Sequence, residues 1–125
     1  MPLVKLYLRK GRHDDRVAAI GDAVHHALVS QANVPADDRF QIFHQLEPAD
    51  LVAHPTYGGV ERSDDLVIIE ITLNAGRTVE VKKNLYAEIA HQLEMLGIRA
   101  DDVLVSLVEV TKENWSFGGG RATYA

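Results

Sequence analysis

The chain has 125 residues, of which 46% are hydrophobic and 25% charged, with a net charge of −5 and no cysteine. A chain of this size reads as one domain and can bury roughly two-thirds of its unfolded surface. The acidic balance argues against general affinity for nucleic acid or anionic lipid, the lack of cysteine excludes disulfide and thiolate chemistry, and no apolar run approaches the roughly 20 residues of a membrane span.

The first element is a strand. Val4, Leu6 and Leu8 alternate with Lys5, Tyr7 and Arg9, the period-2 pattern of a half-buried strand. Gly11 and Arg12 turn the chain. Val17, Ile20, Val24 and Leu28 then recur at helical spacing, with Asp14 expected as N-cap and Asn33, ahead of Pro35, closing the helix. "RFQIFHQL" predicts a second strand. Residues 50–65, with Pro55, Gly58 and Gly59, read as a linker, with a hairpin among the forms open to it. "LVIIEITLNAGR" repeats the opening phrase. Leu85, Ile89, Leu93 and Leu96 predict a second helix, capped by Thr78 and ended by Gly97, and "DVLVSLVEV" a fourth strand. The tail, 113–125, has no counterpart in the first half.

A shift of 65 superposes the halves: Leu8, Gly11, Arg12, His26 and Leu28 meet Leu73, Gly76, Arg77, His91 and Leu93. The expected fold is therefore two-layer α/β, a single domain over 1–125 with pseudo-repeats 1–49 and 66–112. Each repeat is a β-α-β unit with parallel strands and a right-handed crossover. Four strands form a mixed sheet with two helices on one face. The other face is expected to carry Phe43, Ile68, Leu104 and Val108, a mixture suited to neighbouring subunits.

Two features carry chemistry. Pro2, freed of Met1, would present a secondary amine, which titrates near neutrality and can accept or donate a proton. Many chains also carry proline there with no catalytic consequence. Arg12 and Arg77 occupy equivalent loops between strand and helix, where a guanidinium can offer a fork to a carboxylate or simply stand in solvent. The six histidines lack the i, i+4 spacing of a helical zinc motif, and no metal site is expected. His44 reads as a hydrogen-bonded core residue. "FGGGR" follows no strand-to-helix turn and is not a dinucleotide fingerprint.

"MP" at the start, "GR" after the first strand, "VPADDRFQ", "PTYGGVERSDD" and "ENWSFGGGRATY", set in a doubled β-α-β frame, resemble the tautomerase superfamily. The resemblance is to its malonate semialdehyde decarboxylase-like branch and covers essentially the whole chain. It implies the tautomerase, or MIF-like, fold and a homotrimer. It implies that Pro2 is catalytic after Met1 removal, with Asp38 the carboxylate beside it and Arg77 binding the substrate carboxylate, in which Arg12 is a possible partner. The branch's second arginine falls at Ala75 or Asn74, neither of them a cation, and Asn74 is taken as a substrate-binding position. Trp115 and Phe117 match an apolar wall near the proline.

The expectation is a cofactor-independent tautomerase acting on a small 2-oxo or enol carboxylate. The alternatives are a malonate semialdehyde decarboxylase- or hydratase-like lyase and, from another class, a trimeric binding protein without catalysis. No cofactor, metal, nucleic-acid or membrane partner is expected, and no signal-peptide pattern opens the chain, so a cytoplasmic location is expected.

Overall fold

The computed structural model describes residues 1–124; Ala125, the last residue of the expected tail, lies outside the described residues. Six main elements follow in order: β1 (Pro2–Arg9), α1 (Asp14–Ala32), β2 (Phe40–Leu46), β3 (Val67–Asn74), α2 (Val79–Glu94) and β4 (Val103–Val110). Single 3-10 turns lie at Pro48–Asp50, Ala100–Asp102 and Lys112–Asn114.

Strict alternation makes β1 and β3 the centre of the sheet. Pro2, Val4, Leu6 and Leu8 face the helices and are buried, as are Val67, Ile69, Ile71 and Leu73. The helices close over them with Ile20, Val24 and Leu28 from α1 and Leu85, Ile89 and Leu93 from α2. Thr78 caps α2 as expected, its hydroxyl accepting the Val81 N–H at 3.2 Å. At α1 the N-cap position falls to His13, which makes no side-chain capping bond. Asp14, expected there, stands instead in the first turn with Asp15, where both carboxylates face the positive end of the helix dipole. Asn33 ends α1 in the left-handed region, φ 57°, and Gly97 turns the chain after α2 at φ 84°.

Strand order is β2-β1-β3-β4, with β1 parallel to β2 and β3 parallel to β4. β1 and β3 are antiparallel, Pro2 opposite Leu73 and Leu8 opposite Val67. This pairing has a direct consequence for the site. The start of β1 meets the end of β3, so Pro2 and the loop that carries Arg77 share one edge of the molecule. The end of β1, followed by Arg12, lies at the other edge.

One expectation about the sheet is corrected. Phe43 faces the helices, not the open face: an added Cβ on Gly21 of α1 would lie 2.6 Å from its ring. Gly21 thus lets β2 and α1 approach, and Gln41 uses the same gap to donate to the Gly21 carbonyl at 2.8 Å. The open face carries Phe40, Ile42, Leu104 and Val108, all exposed. His44 is also on this face, stacked on Tyr7 with ring centroids 4.6 Å apart, and not in the core.

The linker closes as a turned loop, with the Arg62 N–H donating to the Pro55 carbonyl at 2.8 Å. Its far end is pinned by Asp102, a fully buried carboxylate that accepts both the N–H and the hydroxyl of Ser63, each at 2.6 Å.

Candidate active site

The edge shared by Pro2 and Arg77 holds two adjoining cavities. The first, about 250 Å³, is lined by Met1, Asp38, Asn74, Arg77, Lys112 and Tyr124, with Asn33, Val34 and Pro35 at its margin. The second, about 210 Å³, is lined by Met1, Pro2, Leu3, Phe40, Trp115 and Phe117, with Ser116. Charged side chains reach only the first, the second is almost wholly apolar, and Met1 borders both.

Each side chain is delivered by a definite element. Pro2 opens β1 and is buried under the helices. Its nitrogen is joined to Met1 in a tertiary amide, with the lone pair delocalised into the carbonyl. The α-ammonium of Met1 forms an ion pair with the Asp38 carboxylate. Asp38 is held in the turn before β2, where its own N–H donates to the Pro35 carbonyl at 3.0 Å. A carboxylate thus stands one residue from the Pro2 nitrogen.

Arg77 reaches back across the end of α1. Its Nε and Nη2 donate to the Ala32 carbonyl at 3.1 and 2.9 Å, and Nη1 donates to the Asn74 carbonyl at 3.1 Å. α1 has no basic residue in its last turn. Arg77, from another element, supplies the cation that the negative end of the helix favours. Three of its five N–H groups are therefore committed to backbone oxygens.

The tail folds back over this edge. The Trp115 indole N–H donates to the Asn74 side-chain oxygen at 2.7 Å. Phe117 packs on Trp115, Phe40 and Tyr124, with ring centroids at 5.8, 6.2 and 5.3 Å. The Tyr124 hydroxyl touches the Met1 sulfur. Removal from water, and then the nearby Asp38 charge, hold the Tyr124 phenol above its ordinary value.

The fold thus brings together Pro2, Asp38, Asn74, Arg77, Trp115 and Phe117. It does not bring Arg12 to them. At about 3.3 Å per residue, the length of β1 puts Arg12 roughly 25 Å away. There it is nearly buried, donating to the Asp65 carbonyl, with the Asp65 carboxylate 3.6 Å off. Burial lowers its pKa, and Asp65 partly opposes that. Within one chain, Arg12 tethers the linker and has no access to a substrate at Pro2.

Two lining residues, Lys112 and Tyr124, escaped the sequence reading. Lys112 closes the second repeat opposite Glu47, a residue of opposite charge, and Tyr124 lies in the tail, where the shift of 65 has no partner. Tyr124 does close the "ENWSFGGGRATY" stretch, which was the available signal.

Two family models, each described as tautomerase enzyme, match residues 38–118 and 2–60. A relative from Bacillus subtilis (strain 168), the probable tautomerase YusQ, is 41% identical over 98% of this chain and 97% of its own length. The chain belongs to the tautomerase family. The match of both models and the near-complete coverage of YusQ mark this tautomerase as a family enzyme over its full β-α-β frame. Its structure is also similar to that of the FG41 malonate semialdehyde decarboxylase inhibited by 3-bromopropiolate, with TM-score 0.92, 39% identity, and coverage of 98% and 93% of the two chains. A fused 4-OT solved as a symmetric trimer shares the fold, with TM-score 0.78, 24% identity, and coverage of 95% and 94%.

Proposed function

We propose that this tautomerase interconverts the enol and keto forms of a small 2-oxo acid, with the amine of Pro2 moving the proton once Met1 is absent. The supporting observation is that Pro2 lines the aromatic cavity while Met1, bonded to its nitrogen, borders both that cavity and the one holding Asp38, Asn74 and Arg77. A substrate lying across its nitrogen would set its carboxylate toward Asn74 and Arg77 and its remaining carbons against Trp115 and Phe117. The neutral amine accepts the enol O–H proton. The electron pair moves through the C2–C3 double bond, and the proton is returned at C3. Nothing is oxidised, and no group leaves. Asp38 orients the amine, and the aromatic wall excludes water, which strengthens each charge interaction inside.

Met1 stands in the way of this reaction for two reasons. Its acyl bond removes the lone pair that the amine needs. Met1 also lines both cavities, so its loss would enlarge the space beside the Pro2 nitrogen.

A second reading, decarboxylation or hydration of a small 3-oxo acid, draws on one observation: Asp38 already pairs with an ammonium at this end of the chain. An amine held against a carboxylate keeps its proton more readily. Charged Pro2 would then act as proton donor in place of base. The likeness to the FG41 decarboxylase favours the same reading. The assembly is proposed to be a homotrimer, formed through the open sheet face with Phe40, Ile42, Leu104 and Val108.

The deciding experiment uses protein shown by intact mass to begin at Pro2. Phenylenolpyruvate, an enol 2-oxo acid, should be ketonised in this form. Protein shown to retain Met1, and Pro2→Ala, should each lose at least about a hundredfold in kcat/KM, the scale of general acid–base catalysis. NMR titration of the Pro2 amine separates base from acid: a value below neutrality supports tautomerisation, one above it the lyase. Full activity with Met1 attached would refute the Pro2 mechanism, and binding of the acid without turnover by any form would point to the non-catalytic alternative.

A further inference from the structure

We infer that Lys112 is a direct cationic contact for the substrate carboxylate, beside an Arg77 whose Nε–Nη2 edge is already engaged on the Ala32 carbonyl. The inference rests on the tautomerase reading above and deepens it.

The cavity beside Asp38 and Arg77 holds most of the charge at this edge. Asp38 is the one acidic residue in its lining, and it is paired with the terminal amine. The lining also holds two side-chain cations, Arg77 and Lys112. Neither is in an ion pair with a carboxylate among the described residues. A chain of net charge −5 has thus gathered positive charge at this spot. An acid entering it would be attracted by both cations.

The two cations differ in what they have free. Arg77 has Nε, Nη1 and Nη2 all engaged on backbone carbonyls, which fix its plane against the end of α1. A forked contact to a carboxylate needs two parallel N–H groups presented together, and this guanidinium already presents its Nε–Nη2 pair to Ala32. Lys112 carries three donors and, among the described residues, engages none of them on a carboxylate. Lys5, Lys10 and Lys82 are each paired with a glutamate. The adjacent acid, Glu113, is held below its ordinary value by its own backbone N–H and then by the Thr111 hydroxyl, not by Lys112.

Topology puts the ammonium in place. Val110 pairs with Asn74 at the ends of β4 and β3, and Ala75 N–H donates to the Val110 carbonyl at 2.8 Å. The turn that starts at Lys112 therefore rises beside the Asn74–Arg77 loop. Lys112 is exposed, so its long stem can follow a ligand into the cavity.

The test uses protein beginning at Pro2 and two probes, 2-oxobutanoate and its methyl ester, titrated by NMR, together with phenylenolpyruvate kinetics. Lys112→Ala should weaken binding of the acid about tenfold, the scale of one charged hydrogen bond. It should leave the ester and the melting temperature unchanged, and raise KM for phenylenolpyruvate with kcat within about twofold. Lys112→Arg should restore most of the acid affinity. Wild-type affinity for the acid in Lys112→Ala would overturn the inference, as would equal losses for acid and ester. Lys112-dependent acid binding without turnover of any enol acid would uphold the assignment of Lys112 while rejecting the tautomerase reading.

Discussion

The indole N–H of Trp115 donates to the side-chain oxygen of Asn74 at 2.7 Å, joining the C-terminal tail to the end of β3. The bond fixes which end of the Asn74 amide faces the tail, and so leaves its NH2 as a donor on the cavity side. Asn74→Asp keeps an acceptor for Trp115 but adds negative charge where an acid is to bind. KM for an enol carboxylate should rise about tenfold, with the melting temperature nearly unchanged. Steady-state kinetics beside a thermal melt will show this. An unaltered KM would place the carboxylate elsewhere.

This relationship also marks where sequence reading succeeded and where it stopped. Alternation in β1 and β3, and helical spacing from Val17 to Leu28, follow from local burial, and they were legible. The repeat predicted two equivalent Gly-Arg loops. It could not tell that β1 and β3 run antiparallel, which sends Arg12 and Arg77 to opposite edges. Phe43 was misplaced because "RFQIFHQL" is apolar on both faces, and a one-residue slip exchanges them. Only the contact with Gly21 decides the face. Lys112, at the end of the second repeat, and Tyr124, in a tail without periodicity, reach the cavity through tertiary folding, which no spacing rule encodes.

Arg77 holds the end of α1 through the Ala32 carbonyl and its own loop through the Asn74 carbonyl. Arg77→Ala removes these bonds and the cation that donates to the last turn of α1, which has no basic residue of its own. Stability should fall by about 1–3 kcal/mol, the range for charged hydrogen bonds with a helix-dipole contribution. Arg77→Lys should recover less than half of this, because one ammonium cannot reproduce the planar fork. Urea denaturation of the three proteins provides the comparison. A variant of wild-type stability would show that the guanidinium is free for substrate after all.

Tyr124 supplies a pH test. Its phenol is held above the ordinary value near 10, first by loss of water and then by the Asp38 charge. The folded state therefore grips this proton more tightly than the unfolded chain does. That contribution to stability is complete below the unfolded value and is lost as pH rises through the folded one. Between about pH 9 and 12, Tyr124→Phe should lose melting temperature less steeply than the wild type. Absorbance titration near the tyrosinate band should lose its late component in the same variant. Superimposable titrations would mean that Tyr124 ionises as a free phenol. At neutral pH the group stands in the cavity as an uncharged donor.

The open sheet face makes the last prediction. Its central polar residues satisfy one another within the chain: Lys5 and Glu70 approach to 3.8 Å across β1 and β3, and Tyr7 stacks on His44. The outer strands present Ile42 and Leu104, both exposed. Covering this face with other copies would bury the apolar residues and leave the central charges already partnered, which limits the desolvation cost. Light scattering of the wild type should give about three times the 13.8 kDa chain mass, as the homotrimer reading requires. Because Ile42 and Leu104 contribute little to the chain's own core, Ile42→Asp with Leu104→Asp should leave the circular dichroism spectrum intact. The same double variant should run as a monomer near 13.8 kDa. A trimer that survives both substitutions would place the interface on another surface, and a wild-type monomer at micromolar concentration would end the trimer proposal.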